Sequence, residues 1–220
     1  MKIKLLSLII LLMSIIYIFL IPSEPFGIKI LFKLIPMWLI MYYAFLQKSD
    51  MTRRNKGIII AGLFFCMLGD GLLHWFIIGL SFFLIGHIIY IIGFLKQYTF
   101  SKLRFSSIIP LLAFDLIIGQ KLISTLQQTG KEELMIPVMF YIAAISIMAW
   151  AAFMTGNLYA ICGSILFMIS DTILSWNMFI ADVPYSHFLI MSTYYSAQFL
   201  IASSIGKSSK QPASLPLQAR

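Results

Sequence analysis

The sequence predicts an all-α membrane protein, a polytopic bundle of about eight transmembrane helices. Of its 220 residues, 60% are hydrophobic and only 11% are charged, whereas soluble domains average about half apolar and a quarter charged. Apolar runs of roughly 20 residues, the length that crosses a bilayer, recur along the chain. The formal charge of +8 follows from Lys and Arg gathered between alternate runs. We therefore expect the bilayer as partner, and no nucleic acid.

The first apolar run resembles a secretory signal, because Lys2 and Lys4 precede it. It continues to Ile21, which is long for a signal, and the following IPSEPFG offers no small-residue cleavage site. We expect this run to remain as the first span.

Eight runs are predicted, separated by charged residues or by Pro, Gly and Asn. The breaks after the third and the sixth run are very short, so each must form a tight antiparallel hairpin. Residues 1–206 are expected to form one helical domain and the polar residues 207–220 a disordered cytoplasmic tail. The predicted spans are 4–21, 28–47, 57–77, 79–97, 105–126, 134–154, 157–178 and 185–206.

Basic residues predict the orientation of the bundle. With both termini inside, only Lys29, Lys33, Lys121 and Lys131 of the 16 basic residues fall outside, and the other twelve lie inside. An even number of spans is therefore favoured. Because the chain has no long soluble domain, we expect a compact bacterial protein of the cytoplasmic (inner) membrane.

A sequence motif in the third span returns in the seventh. MLGDGLLHW (residues 67–75) matches MISDTILSW (168–176), so that Asp70 and Asp171 correspond. A weaker match continues from FLIGHIIY to FLIMSTYY in the next spans. Four spans per half would give a parallel 4+4 repeat. Chance similarity between apolar segments is the alternative.

Polar side chains fall at similar depths in five predicted spans. At about 1.5 Å per residue, Asp70 and Asp171 lie about 10 Å below the outer surface. The same count places polar residues of three other spans at about 8 to 14 Å, or one turn deeper. These residues are Lys33, His87, Tyr90, Tyr194, Tyr195 and Gln198.

Each of these residues also has an ordinary structural explanation. The acids could tie helices together, the histidine could be an interior residue, and the tyrosines could belong to the interfacial belt. Lys33 could extend to the surface, and Gln198 could bond two helices. Asp115, a further buried carboxylate of the fifth span, has no polar partner among its neighbours in the sequence and ranks lower. Cys66 and Cys162 are expected to be small core residues, with no disulfide and no metal.

Two carboxyl groups buried together tend to share one proton. Such a pair can donate a proton and then stabilise the cation that forms, as in glycosidases. The chain lacks GxSxG, HExxH and a P-loop, which disfavours serine or metal hydrolysis. An intramembrane aspartyl protease would need Gly where Met67 stands, and its PAL motif is absent. Acid–base chemistry on a lipid-soluble substrate remains.

Several segments together resemble the YhhN-like lysoplasmalogenase family. They are LGDGLLHW, FFLIGHIIY, MISDTILSW and MSTYYSAQFLIASS, with Lys33-Leu34-Ile35-Pro36 upstream. The resemblance runs from the second to the eighth span. It implies a multi-pass hydrolase that cleaves the vinyl ether bond of lysoplasmalogens, a class of lysophospholipid. The products would be a fatty aldehyde and glycerophosphoethanolamine or glycerophosphocholine, and no metal or organic cofactor is implied.

Carried onto this sequence, the resemblance makes Asp70 and Asp171 the acidic pair. It also brings in Asn177, where some relatives have an acidic residue. We expect one aspartate to be the acid and the other the base, without an assignment between them, and Lys33 to meet the phosphate. The further expected catalytic residues are His87 and Tyr90, and the further substrate-binding residues are Asn177, Tyr194, Tyr195 and Gln198. The competing interpretation is a transporter or receptor that binds a small solute or ion in the polar layer.

Overall fold

The computed structural model describes residues 2–22, 24–49 and 51–206, and within them it contains helices and no strands. The predicted all-α class is thus confirmed. The α-helices are α1 (Lys2–Phe19), α2 (Phe26–Leu46), α3 (Arg53–Leu72), α4 (Phe76–Leu95), the short α5 (Lys102–Phe105), α6 (Ile108–Gln128), α7 (Met135–Thr155), α8 (Leu158–Phe179) and α9 (Ser186–Ser204). A single 3₁₀ turn, Glu132–Leu134, precedes α7.

Six helical segments of the described chain are long and apolar enough to cross a membrane, so the protein is a polytopic helical membrane protein. They comprise α2, α3, α4, α8, and the segments Lys102–Gln128 and Glu132–Thr155. The apolar part of α1, Ile3–Phe19, is shorter, and α9 is not among the six. Each of the eight predicted runs nevertheless corresponds to one of the eight long helices in residues 2–206.

The largest error in the predicted boundaries concerns the third run. It was expected to continue to residue 77, but α3 ends at Leu72 and α4 begins at Phe76. Gly79 explains how the chain can turn this early: a Cβ atom there would lie 2.6 Å from Cα of Leu73, so only glycine allows α4 to cross over the end of α3. Asp70 therefore lies two residues before the end of its helix, not seven residues before the end of a span.

Two antiparallel pairs, α3 with α4 and α8 with α9, pack most extensively. Glycines allow this close approach, because a Cβ on Gly69 would meet the ring of Phe83, and one on Gly163 would meet the backbone of α9. The main buried cluster draws on α1 to α4 and α7 to α9. Helix α6 contributes to a separate small cluster, in which Leu122 and Leu126 lie beside α7.

The two cysteines differ in a way that the sequence did not predict. Cys66 is fully buried on α3, as expected, whereas Cys162 is exposed on α8. The prediction for Cys162 was wrong because the neighbouring Gly163 faces α9, which leaves Cys162 on the outer side of α8. The tail predicted for residues 207–220 lies outside the described residues.

Candidate active site

Asp70 lies in the last turn of α3, buried against α2 and α9. Its carboxylate forms an ion pair with Lys33 Nζ at 3.2 Å and accepts a hydrogen bond of 2.5 Å from the hydroxyl of Tyr194. Lys33 Nζ also donates to the backbone oxygen of Asp70, at 3.2 Å. Carbonyl groups in the last turn of a helix have no partner within the helix. Lys33 therefore satisfies both the carboxylate and the end of α3.

This geometry changes the expectation for Lys33, which was assigned to the phosphate of the substrate. Its side chain is only 13% exposed, and its ammonium is bound to Asp70. Tyr195 holds the same stretch of α2, because its hydroxyl donates to the backbone oxygen of Lys33 at 2.8 Å. The ring of Tyr17, on α1, packs edge-on against Tyr195. Four helices thus fix the surroundings of Asp70.

Asp171 lies in the middle of α8, and its carboxylate accepts a short hydrogen bond from the hydroxyl of Tyr141 on α7. Tyr141 was not among the sequence candidates. The position of Tyr141 could have indicated it, since Tyr141 lies six residues after the start of α7, about 9 Å along the helix. Applying the depth count to the sixth span would have placed it in the predicted polar layer.

A chain of aromatic contacts joins the surroundings of the two acids. Tyr194, bound to Asp70, packs edge-on against Phe167 with 5.4 Å between ring centroids. Phe167 contacts His87 at 4.7 Å, and His87 contacts Tyr141 at 5.2 Å. Tyr141 in turn binds Asp171. The rings of Phe167 and His87 therefore fill the space between the two tyrosine–aspartate pairs.

His87 and Gln198 each carry polar atoms that find no partner in the described part of the chain. Both side chains are fully buried. Neither ring nitrogen of His87 forms a hydrogen bond, and neither does Nε2 of Gln198, although Oε1 of Gln198 accepts from the hydroxyl of Tyr90 at 2.7 Å. Because unsatisfied buried polar groups are costly, these atoms distinguish His87 and Gln198 from the other polar residues of the cluster, which are paired.

The structure does not bring Asn177 into this cluster. Its side-chain oxygen accepts a hydrogen bond of 2.9 Å from the backbone N–H of Val183, in the loop between α8 and α9. Asn177 therefore fixes the start of that loop. Asp115, which has no polar partner among its neighbours in the sequence, accepts a short hydrogen bond from Ser146 of α7 and ties α6 to that helix.

The two acids line different cavities. Asp70 lines a cavity of about 230 Å³ beside the last turn of α3, together with Lys29, Lys33 and His74. Asp171 lines a crevice of about 20 Å³ between α6, α7 and α8. Only the first is large enough for part of a substrate. In residues 2–22, 24–49 and 51–206, no group of three His, Cys, Asp or Glu side chains could hold a metal ion.

Comparison with known proteins gives a consistent set of relatives. Residues 28–205 match the YhhN family. The chain is 31% identical to lysoplasmalogenase TMEM86A of Homo sapiens and 29% identical to TMEM86A of Bos taurus, covering 83% of this chain and 80% of each relative. It is 30% identical to lysoplasmalogenase TMEM86B of Homo sapiens over 66% of this chain and 62% of that protein. No solved structure gives a significant match.

Proposed function

The chain belongs to the YhhN family, and we propose that it is a membrane lysoplasmalogenase that cleaves the vinyl ether bond of lysoplasmalogens by acid–base catalysis. The relatives named lysoplasmalogenase support the activity and the lysophospholipid substrate. One structural observation supports the chemistry. Asp70 is a buried carboxylate that lines a cavity of suitable size and carries a fixed cation, Lys33, at its side.

The reaction defines what the site must supply. A proton is transferred to the terminal carbon of the C=C–O unit, and the adjacent carbon becomes an oxocarbenium ion. Water adds to that carbon, loses a proton and gives a hemiacetal, which collapses to a fatty aldehyde and the glycerol hydroxyl. The slow step requires a positioned acid. A fixed negative charge close to the developing cation, in a site that excludes bulk water, lowers the barrier further.

Asp70 suits the role of the negative charge. Lys33 supplies the counter-charge for an ionised carboxylate, and Tyr194 donates a hydrogen bond to the same group. A carboxylate held in this way stabilises the oxocarbenium ion and accepts the proton of the attacking water. The sequence left the two roles unassigned; the ion pair favours Asp70 as stabiliser and base.

Asp171 is then the proton donor of the pair. Its partner is a neutral phenol, Tyr141, and no ion pair to Asp171 is found among the described residues. A buried carboxyl group without a counter-charge tends to hold its proton. The dyad also sets a steric requirement, because the rings of Tyr194, Phe167, His87 and Tyr141 form the contact chain that links the two acids. The vinyl ether reaches both acids only if this chain of rings rearranges when substrate binds.

The cavity beside Asp70 suits the polar part of the substrate. Lys29 and His74 line it beside Lys33, and Lys33 is already paired with Asp70. Lys29 is therefore the better candidate for a point-charge contact with the phosphate. His87 packs against Tyr141, Tyr195 binds the backbone of Lys33, and Tyr90 binds Gln198, so these residues order the surroundings of the two acids. Asn177 orders the loop between α8 and α9.

We place all eight long helices across the cytoplasmic membrane of a bacterium, with both termini inside and a parallel 4+4 repeat. The distribution of Lys and Arg supports this orientation. The repeat is supported by the packing, since the matched segments form the two pairs with the most extensive contact, α3 with α4 and α8 with α9.

Purified protein incubated with lysoplasmenylethanolamine tests the function, with release of fatty aldehyde as the measurement. We expect aldehyde and glycerophosphoethanolamine in equal amounts. A solute transporter or receptor using the same polar layer would release neither. Absence of aldehyde from well-folded protein in lipid nanodiscs would remove the enzyme assignment.

A further inference from the structure

An apolar groove between α1 and α9 has no role in the site described so far. Its volume is about 520 Å³, and its walls include Leu8, Leu11 and Ile15 of α1 and Phe199 of α9. Along α1 it extends from Ser7 to Phe19, about 18 Å at the rise of a helix. That length accommodates an extended hydrocarbon chain and exceeds what a small solute needs.

Small residues create this groove. Ser7, Ser14, Ser192 and Ser196 line it where larger side chains would close the gap between the helices. Three of the hydroxyl groups bind carbonyl oxygens of their own helix: Ser7 to Ile3, Ser14 to Ile10 and Ser192 to Leu189. Those hydroxyls are therefore satisfied, and the groove presents a predominantly apolar surface.

The groove shares a wall with the cavity of Asp70. Tyr195 lines the groove and Tyr17 lines the cavity, and their rings meet edge-on with 6.0 Å between centroids. The hydroxyl of Tyr195 reaches through to the backbone oxygen of Lys33. A cationic cavity and an apolar groove thus meet at one aromatic wall, immediately beside Asp70.

From this juxtaposition we infer that the groove between α1 and α9 holds the single hydrocarbon chain of a lysophospholipid whose phosphate lies in the Lys29–Lys33 cavity. The inference rests on the proposed function for the identity of the lipid. In a lysoplasmalogen the vinyl ether joins the polar glycerol to the apolar chain. The structure has the same order, with the cationic cavity that contains Asp70 on one side of the Tyr17–Tyr195 wall and the apolar groove on the other.

The groove and the cavity contribute differently to binding, because the surrounding bilayer is itself apolar. Lipid tails are as apolar as leucine side chains, so moving the chain from bilayer to groove gains little affinity. The groove therefore acts by positioning the scissile bond and by limiting chain length, while the phosphate provides the attraction. Blocking the groove should disturb binding of long chains first.

Photolabelling tests the inference without requiring turnover. The probe is lysophosphatidylcholine with a diazirine near the end of its acyl chain, which has no vinyl ether to cleave. We expect labelled peptides from α1 and α9, and roughly tenfold less label in Ser196→Phe, which narrows the groove, than in wild type. Ser81→Phe is the matched control, because Ser81 is an exposed serine of α4 outside the groove; it should label like wild type. Equal labelling of both variants, or label confined to α6 and α7, would overturn the inference.

Kinetics separate this inference from the proposed function. Ser7→Phe shortens the far end of the groove, so KM for long-chain lysoplasmalogens should rise several-fold while KM for short chains stays unchanged. If Ser7→Phe and Ser196→Phe both hydrolyse lysoplasmalogens with the wild-type dependence on chain length, the inference about the groove is refuted. The proposed enzymatic function then still stands. If the groove is labelled but the protein releases no aldehyde, the inference that the groove binds a lipid chain is supported and the proposed enzymatic function is refuted.

Discussion

At the scale of single residues, the assignment depends on the two buried aspartates. Asp70→Asn and Asp171→Asn should each reduce kcat about a hundredfold or more, the usual contribution of a general acid or base. The measurement is aldehyde release by purified protein, with circular dichroism to confirm folding. Asp115→Asn is the control, since Asp115 is a third partly buried carboxylate but binds Ser146 away from the site, and it should keep its activity.

The same experiment can separate two versions of the mechanism. The two acids line different cavities. If Asp171→Asn retained near-normal cleavage while Asp70→Asn did not, the chemistry would belong to the cavity of Asp70 alone, and the shared-proton mechanism would be wrong.

The hydroxyl groups of Tyr194 and Tyr141 provide a second residue-scale prediction. Each donates to one catalytic carboxyl group, and a hydrogen bond to a charged group contributes about 1.5–3 kcal/mol. Tyr194→Phe, which keeps the ring, should lower kcat by roughly ten- to a hundredfold. Tyr141→Phe should lower it less, because the carboxyl group of Asp171 is proposed to be neutral. Tyr43→Phe, whose hydroxyl bonds Ser203 at 3.2 Å, should leave kcat unchanged; a comparable loss there would mean that the effect is on folding.

Lys29 and Lys33 line one cavity but should respond differently to the same change. Lys33→Met removes the counter-charge of Asp70, so it should lower kcat. Lys29→Met should mainly raise KM if its ammonium meets the phosphate. Steady-state kinetics on lysoplasmenylcholine distinguish these effects. A rise in KM alone for Lys33→Met would return the phosphate role to Lys33 and weaken the ion-pair argument.

The sequence could indicate which polar residues lie deep in the bundle, because depth follows from counting residues along a helix. It could not indicate partners, because those depend on how each helix is rotated. For this reason neither the ion pair of Lys33 with Asp70 nor the hydrogen bond from Tyr141 to Asp171 could be predicted. Asn177 follows the motif tryptophan and looked functional by position, yet its contact is with Val183 in a loop.

At the scale of elements, the turn between α3 and α4 determines where Asp70 lies. Apolar residues continue through the turn, so hydropathy alone extended the third span to residue 77. The turn depends on a backbone contact at Gly79 that no pattern of side chains reveals. The other boundaries differ by a few residues, since Pro, Gly and charged residues mark them in the sequence.

Gly79→Ala tests this contact. The new Cβ would lie 2.6 Å from Cα of Leu73, and the backbone would have to shift at a cost of about 1–3 kcal/mol. We expect lower thermal stability and a lower kcat, because Asp70 is in the adjoining turn. Reaction of the buried Cys66 with a thiol-reactive fluorophore on heating reports unfolding, in a Cys162→Ser background because Cys162 is exposed. Gly119→Ala, whose Cβ would meet nothing within 4 Å, is the control and should be neutral or slightly stabilising.

At the scale of the whole molecule, the bundle is asymmetric in a way that bears on function. Helices α1 to α4 and α7 to α9 share one buried cluster, whereas α6 packs at the side. Among the described elements, helix α1 contacts only α2 and α9 appreciably, and the groove lies between α1 and α9. If the groove holds the lipid chain as proposed, the substrate approaches the Asp70 cavity from within the bilayer, without passing through water.

This approach depends on orientation, because the cavity with Lys29 must face the outer leaflet if both termini are inside. Single cysteines introduced at Asp182, in the loop after α8, and at Ser49, in the loop after α2, test this topology in a background without Cys66 and Cys162. In intact cells a membrane-impermeant maleimide should label position 182 and leave position 49 unlabelled until the cells are lysed. The opposite pattern would reverse the orientation and place the cavity at the cytoplasmic leaflet. Labelling of both in intact cells would mean that an even number of helices crosses the membrane between them, whereas the eight-span bundle has five there, α3, α4, α6, α7 and α8.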